Sequence, residues 1–264
     1  MCVRKLSPKL TRFPITPVQE AVRNDRIGLA TQDITSLRAA GDVLYKKCLA
    51  RMVQPDGTVL PISEFVSCLS IPGAGHDLDD HVTRLVLGLL EQMPDAVLGY
   101  QISADSFTKP KLWATILEKL SAHQGLAPRM VLEIAETQPI GDLFQAREIL
   151  DEARRLGCRI AIDDFGAGYL APSALLLLDA DIIKIDAALL RDIRPGTGGR
   201  DSFQHIVGFA SCMAPVVVAQ GVEQRRQMDL ARIAGATHVQ SLLVSDPASV
   251  QLLKLRSAQP AEVC

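Results

Sequence analysis

The chain has no Cys-x-x-Cys pair. Its six cysteines (Cys2, Cys48, Cys68, Cys158, Cys212, Cys264) are scattered, which indicates neither a zinc site nor a disulfide framework. Reduced thiols in a cytoplasm are the simplest reading. There is no excess of one charge either. With 28 basic and 30 acidic residues the net charge is −2, which offers no nucleic-acid face and no polybasic membrane patch. No apolar run is long enough to cross a bilayer, and the least polar stretch, 206–219, contains Pro215. The opening MCVRKLSPKL is basic but lacks the apolar core of a signal peptide. The glycine loop at 195–199, between Arg194 and Arg200, carries neither the GxGxxG nor the GxxxxGK[ST] pattern. It reads as a plain loop, not a phosphate cradle. The whole reads as a soluble protein.

What is present is alternation without repeats or low-complexity tracts. At 264 residues and 48% hydrophobic, the chain can bury a sizeable core in one domain. Residues 1–16, with Pro8 and Pro14 and little periodicity, read as a tail or linker, and 17–264 as the domain. Strands are predicted at 27–33, 43–52, 96–102, 129–135, 159–163, 181–185, 215–219 and 237–240. Helices are predicted at 62–70, 77–93, 105–122, 142–156, 187–193, 200–212, 223–234 and 247–257. In the 142–156 helix, Leu143, Ala146, Ile149, Leu150 and Ala153 form the apolar face. Arg147, Glu148, Arg154 and Arg155 are left to water, and Gly157 comes next as the stop. Such alternation fits an α/β barrel.

The chemistry concentrates in two stretches. Ile160-Ala161-Ile162 runs into Asp163-Asp164 and a loop with Gly166 and Gly168; Ile183-Lys184-Ile185-Asp186 comes after it. Apolar runs so spaced read as parallel strands of a barrel or doubly wound sheet, where functional groups sit at strand ends. Asp163, Asp164, Lys184 and Asp186 are then expected at one mouth. A strand-end acid pair serves equally as metal ligands or as a cap and ion-pair partner, and the residues alone leave both open. Elsewhere the plainer readings hold. His76, Asp77, Asp79, Asp80 and His81 read as helix-start residues instead of a metal cluster. Leu175 to Leu178 read as barrel packing, and Trp113 as core.

DDFGAGY followed by IKID resembles the signature of the EAL-domain cyclic di-GMP phosphodiesterases. Other landmarks occur in the family's order over roughly residues 17 to 250. Thr31-Gln32-Asp33-Ile34 resembles YQPI. Lys47-Cys48-Leu49-Ala50-Arg51, with Pro55, Gly57, Pro61 and Phe65, resembles EALLR and its downstream proline, glycine and phenylalanine positions. Gln101-Ile102-Ser103 stands at the Asn-x-Ser position, and Glu133-Ile134-Ala135-Glu136 resembles ELTE. Ala219-Gln220-Gly221-Val222-Glu223 resembles AEGVE, and Gln240 with Pro247 resembles QGY…P. The resemblance implies a TIM-like (β/α)8 barrel. It also implies two divalent cations, Mg or Mn, held by oxygen ligands and activating a water against a phosphodiester. Carried over by position, Glu133, Asp163 and Asp164 are metal-site carboxylates, and Lys184 and Glu223 catalytic positions. Gln32, Arg51, Gln101, Asp163, Asp164, Asp186 and Gln240 are ligand-binding positions, and Glu136 steadies the loop after the acid pair.

Three positions depart from the family pattern. The signature Glu is Lys47, the ligand Asn is Gln101, and the first acid of EGVE is Gln220. Together these leave the pocket three charge units less negative, and an ammonium at a ligand position repels a divalent cation. The expected result is a broken metal site with Lys47 among Glu133, Asp163 and Asp164 as a substitute cation. Two readings result. One is a catalytically inactive (degenerate) domain that needs no cofactor and works as a cyclic di-GMP receptor or protein-binding regulator. The other is an active metal-dependent phosphodiesterase. In the family, homodimers form through the region near 165–178.

Overall fold

The computed structural model describes residues 16–65, 74–123, 125–135, 140–168 and 172–247. The expected tail before Thr16, the helix beyond Pro247, Glu136 and Tyr169 lie outside the described residues. Nine strands are present among the described residues: β1 (Ile27–Ser36), β2 (Val43–Val53), β3 (Val59–Pro61), β4 (Leu98–Ile102), β5 (Met130–Ala135), β6 (Arg159–Phe165), β7 (Ile182–Ile185), β8 (Val216–Val222) and β9 (His238–Ser241). The helices are α1 (Pro17–Arg23), α2 (Ile62–Phe65), α3 (Ala74–Gln92), α4 (Pro110–Ala122), α5 (Leu143–Leu156), α6 (Pro172–Leu178), α7 (Ala187–Arg191), α8 (Ser202–Met213) and α9 (Arg225–Ala234). All eight predicted strands are found within a few residues of their expected ends. The predicted helix at 105–122 is split, because Pro110 cannot donate to the turn before it. A 3-10 turn covers Ala104–Thr108 and α4 starts afresh at Pro110.

The sheet runs β1-β9-β8-β7-β6-β5-β4-β2, and pairing of β1 with β2 closes it into an eight-stranded α/β barrel, with β3 appended to β2. All barrel pairings are parallel except those of β1, which runs antiparallel to both β2 and β9. The reversal departs from the expected run of parallel strands, and its cause is length. Strand β1 extends to Ser36, so only residues 37–42 join it to β2, and six residues cannot make a parallel crossover. A hairpin results.

Parity along the strands sorts two tiers inside the barrel. Ile34, Tyr45, Val131, Ala161, Ile182 and Val218 pack together as an apolar floor. Two residues further along β2, β5, β6, β7 and β8 stand Lys47, Glu133, Asp163, Lys184 and Gln220; on the reversed β1 the equivalent is Gln32, two residues earlier. The alternate residues, such as Leu132, Ile134, Ile160, Ile162, Ile183 and Val217, face outward into the main core under the helices. Strand β4 gives Gly99 to the floor. A Cβ there would lie 2.5 Å from Tyr45 Cε2, so the missing side chain makes room for that ring.

Outside the barrel, Trp113 is buried as expected, stacked on Phe107 at 5.3 Å. The expected face of α5 is inward, with Ala146, Leu150 and Ala153 buried, and Asp142 and Gly157 cap the helix. Two of its arginines are not left to water. Arg147 donates to the Leu177 carbonyl, and Arg154 donates to the carbonyls of Leu178 and Asp179. A guanidinium satisfies the free carbonyls at the end of α6 while its stem lies along the helix. Within the Leu175–Leu178 run, Leu175 and Leu178 are buried and Leu176 is exposed.

Candidate functional site at the barrel mouth

Four charged side chains of the polar tier meet in one cluster. Lys184, Glu133 and Asp163 are fully buried, and Lys47 is 6% exposed. Lys47 Nζ lies 2.5 Å from Asp163 Oδ2 and 3.0 Å from Glu133 Oε2. Lys184 Nζ lies 2.7 Å from Asp163 Oδ1 and 3.1 Å from both Glu133 oxygens. Tyr45 donates its hydroxyl to Glu133 Oε1 at 2.6 Å from the floor below, and Gln220 Nε2 donates to Asp163 Oδ1 at 2.9 Å. Every oxygen of the two carboxylates therefore has a donor. Two ammonium groups and two carboxylates cancel, so the cluster is neutral in total.

Burial penalises every charge here, and pairing outweighs it. Burial disfavours the Lys47 ammonium, but the charges of Asp163 and Glu133 hold its pKa well above the ordinary lysine value. Burial likewise opposes ionised Asp163, yet Lys184 and Lys47 hold its carboxyl far below the usual range. Burial pushes the neighbouring Asp164 carboxyl up, and the charge of Asp163 adds to the rise. Asp164 has a left-handed backbone (φ 55) where the register of β6 against β7 shifts. Lys47 pairs with Glu133 and Asp163 and not with Asp164, contrary to the expected three-carboxylate arrangement. The loop then turns through Gly166 (φ 98), where a Cβ would run into the Leu189 side chain.

These shifts fix a pH window. Asp163 has a lowered folded pKa, so its contribution is present above the unfolded value near ~4 and is lost as pH falls below it. Lys47 has a raised one, so its contribution is present below ~10.4 and is lost as pH rises beyond it. Urea midpoints should show an acid limb that is shallower in Asp163→Asn than in the unsubstituted protein. Acid limbs of equal steepness in the two proteins would show that Asp163 does not carry this dependence.

The other expected site residues divide. Gln240 Nε2 donates to Gln32 Oε1 at 2.7 Å, and Gln32 Nε2 donates to the Ser245 carbonyl at 3.2 Å. That chain ties β9 and the turn after it to β1, inside the same mouth. Arg51, four residues past Lys47 on the same face of β2, stands about 13 Å further out. Its guanidinium donates to the carbonyl of Ala50. Gln101 and Glu223 are exposed and not drawn into the cluster. Asp186 acts as the cap of α7, its Oδ1 accepting from the Ala188 amide at 2.7 Å. The acids near the start of α3 disperse as well. Asp77 accepts from Gln19, Asp79 from Ser103 and Ser106, and Asp80 from Arg84. Sequence reasoning missed Tyr45, although its parity with Lys47 on the predicted 43–52 strand was the signal.

Known proteins share both the sequence pattern and the barrel. Cyclic di-GMP phosphodiesterase PdeF of Escherichia coli is 26% identical over 234 residues, covering 87% of this chain and 31% of PdeF. Signaling protein YkoW of Bacillus subtilis is 28% identical over 235 residues, covering 87% of this chain and 29% of YkoW. The chain thus spans under a third of these relatives' length. Among solved structures, the PaMucR phosphodiesterase in complex with c-di-GMP superposes with a TM-score of 0.73 at 21% identity, covering 86% of this chain and 94% of that one. The FimX EAL domain of Pseudomonas aeruginosa bound to c-di-GMP gives 0.72 at 23%, again covering 86% and 94%. At these identities the likeness to solved structures is one of fold. The EAL domain model matches residues 16–247, the whole of the barrel and its mouth, and the chain belongs to the EAL domain family.

Proposed function

We propose that this domain acts in cyclic di-GMP signalling by binding the nucleotide without hydrolysing it. The observation that carries the reading is the Lys47 ammonium held between Glu133 and Asp163. A divalent cation needs several oxygen ligands at about 2.0–2.6 Å. Here the two carboxylates that would supply them are already saturated by Lys47, Lys184, Tyr45 and Gln220. As arranged, the residues do not fit a divalent ion. Lys184 lies within 3.1 Å of both carboxylates, which leaves it poorly placed to act on a water, and Glu223 is exposed. Glu133, Asp163 and Asp164 are then residual metal positions, not working ones.

Neutrality of the cluster favours the nucleotide receptor over a purely protein-binding regulator. A dianionic ligand would be repelled by unpaired acids, but Glu133 and Asp163 are compensated. Gln32, Arg51, Gln101, Asp164 and Gln240 are the proposed ligand contacts, with the Arg51 guanidinium suited to a phosphate. Calorimetry in EDTA, paired with chromatography after incubation with magnesium or manganese, tests this. Heat of binding and no linear dinucleotide are expected. Linear product above background, abolished by Asp163→Asn, would restore the metal-dependent phosphodiesterase. No heat at high micromolar nucleotide would leave the protein-binding regulator.

A further inference from the structure

We infer that His81 is a proton-sensitive latch on α1, which stays docked on α3 while the ring is neutral and lets go when it is protonated. The inference does not depend on what the barrel mouth binds. Helix α1 packs against α3, with Val18 and Ala21 buried. Two side chains of α3 one turn apart, Asp77 and His81, meet this segment. Asp77 accepts from Gln19 Nε2 of α1 at 2.9 Å. His81 Nε2 lies 3.9 Å from Oδ1 of Asp25, in the turn that leads from α1 into β1. That separation is too long for a hydrogen bond. The imidazole is 8% exposed, and its Nε2 is buried with no hydrogen-bond partner among the described residues, whereas the Asp25 side chain is 81% exposed. A neutral ring can carry its proton on the other nitrogen and leave Nε2 bare. An imidazolium makes both nitrogens donors, which puts a charge and an unmatched N–H in a buried place.

The charges around the ring do not repair this. Burial holds His81 below the ordinary histidine value, and the Arg84 charge adds to the shift. The charge of Asp25, a hydrogen bond with the Ile27 main chain and the charge of Asp80 oppose it. Asp80 is itself paired with Arg84, and Asp77 is bonded to Gln19. On α1 and its turn, Glu20 pairs with Arg26, and Arg23 is exposed. With α1 undocked, the ring meets water and returns to about 6.5. The docked state therefore binds the proton less tightly. Docking is at full strength above ~6.5 and weakens as pH falls below it. Release need not open the barrel, because β1 is paired with β2 from Ile27 onward.

The test is amide hydrogen exchange at about pH 5.5 and about pH 7.5, corrected for intrinsic rates, with the His81 ring titrated by NMR. The ring should titrate below the ordinary value. Protection of the α1 amides should fall in acid by about tenfold for each unit by which the ring lies below it, with a smaller loss in β5 to β7. His238, where burial also favours the neutral ring, begins β9, and its titration would show in the β9 amides instead. His81→Gln should leave α1 protection independent of pH across this range. Asp25→Asn changes an exposed side chain and keeps the fold. It removes an opposing charge and should deepen the acid loss. Equal α1 protection at both pH values in wild type would overturn the latch, as would the same acid loss in His81→Gln. An acid loss in Asp25→Asn no greater than in wild type would overturn the part assigned to Asp25.

Discussion

Asp163→Ala is expected to destabilise the barrel by about 3–5 kcal/mol, the cost of stranding buried charge when one member of a buried pair is removed. The side chain is fully buried and receives Lys47, Lys184 and Gln220 at once. Its loss leaves two ammonium groups sharing Glu133, with the Gln220 amide unpartnered as well. Neither ammonium can retreat to water without leaving the tier. The loss should be smaller when Lys47 is removed in the same molecule, since charge balance is then restored. A cycle of Asp163→Ala, Lys47→Met and the double variant should show about 1–3 kcal/mol of coupling. Additive single effects, or a cost below about 1 kcal/mol for Asp163→Ala, would mean that the cluster is not what holds the mouth together.

Gly99→Ala should cost about 1–3 kcal/mol by overpacking, an unusually large effect for adding one methyl group. The added carbon would meet Tyr45 Cε2 at 2.5 Å and Cδ2 at 2.6 Å. A flexible side chain would swing aside. Tyr45 is buried and its hydroxyl is committed to Glu133, so moving the ring costs a charge-assisted hydrogen bond besides packing. Tyr45→Val in the same chain should recover part of the loss by vacating the space. A neutral Gly99→Ala in urea unfolding would show that the floor is loose and that Tyr45 has somewhere to go.

The barrel was largely legible, because apolar runs of strand length recur between helical periods and because motif order fixes which strand ends carry acids. Strand-end placement then put Lys47, Glu133, Asp163 and Lys184 at one mouth. What stayed hidden depends on distances that a linear chain does not encode. The reversal of β1 was not drawn from the sequence, although even the expected connection, 34–42, is too short at nine residues for a parallel crossover. Arg147 and Arg154 look solvent-facing by helical phase, yet α6 brings carbonyls within their reach. Asp186 looks like a mouth ligand from its strand-end place, but the helix that starts immediately after it claims its carboxylate. The Gln240–Gln32 bond joins residues 208 apart, across the antiparallel seam between β1 and β9.

The pairing of two ammonium groups with two carboxylates also governs how the mouth looks from a distance. Opposite charges 2.5–3.1 Å apart form a compact multipole, whose field dies away far faster than that of a lone ion. Over a Debye length of roughly 8 Å in physiological salt, little of it reaches the approaching solute. Long-range steering at this mouth is therefore left to the charges outside the pairs, the partly exposed Arg51 guanidinium and the carboxylates of Asp164, Asp186 and Glu223. The paired cluster itself adds almost nothing to the way that capture depends on ionic strength.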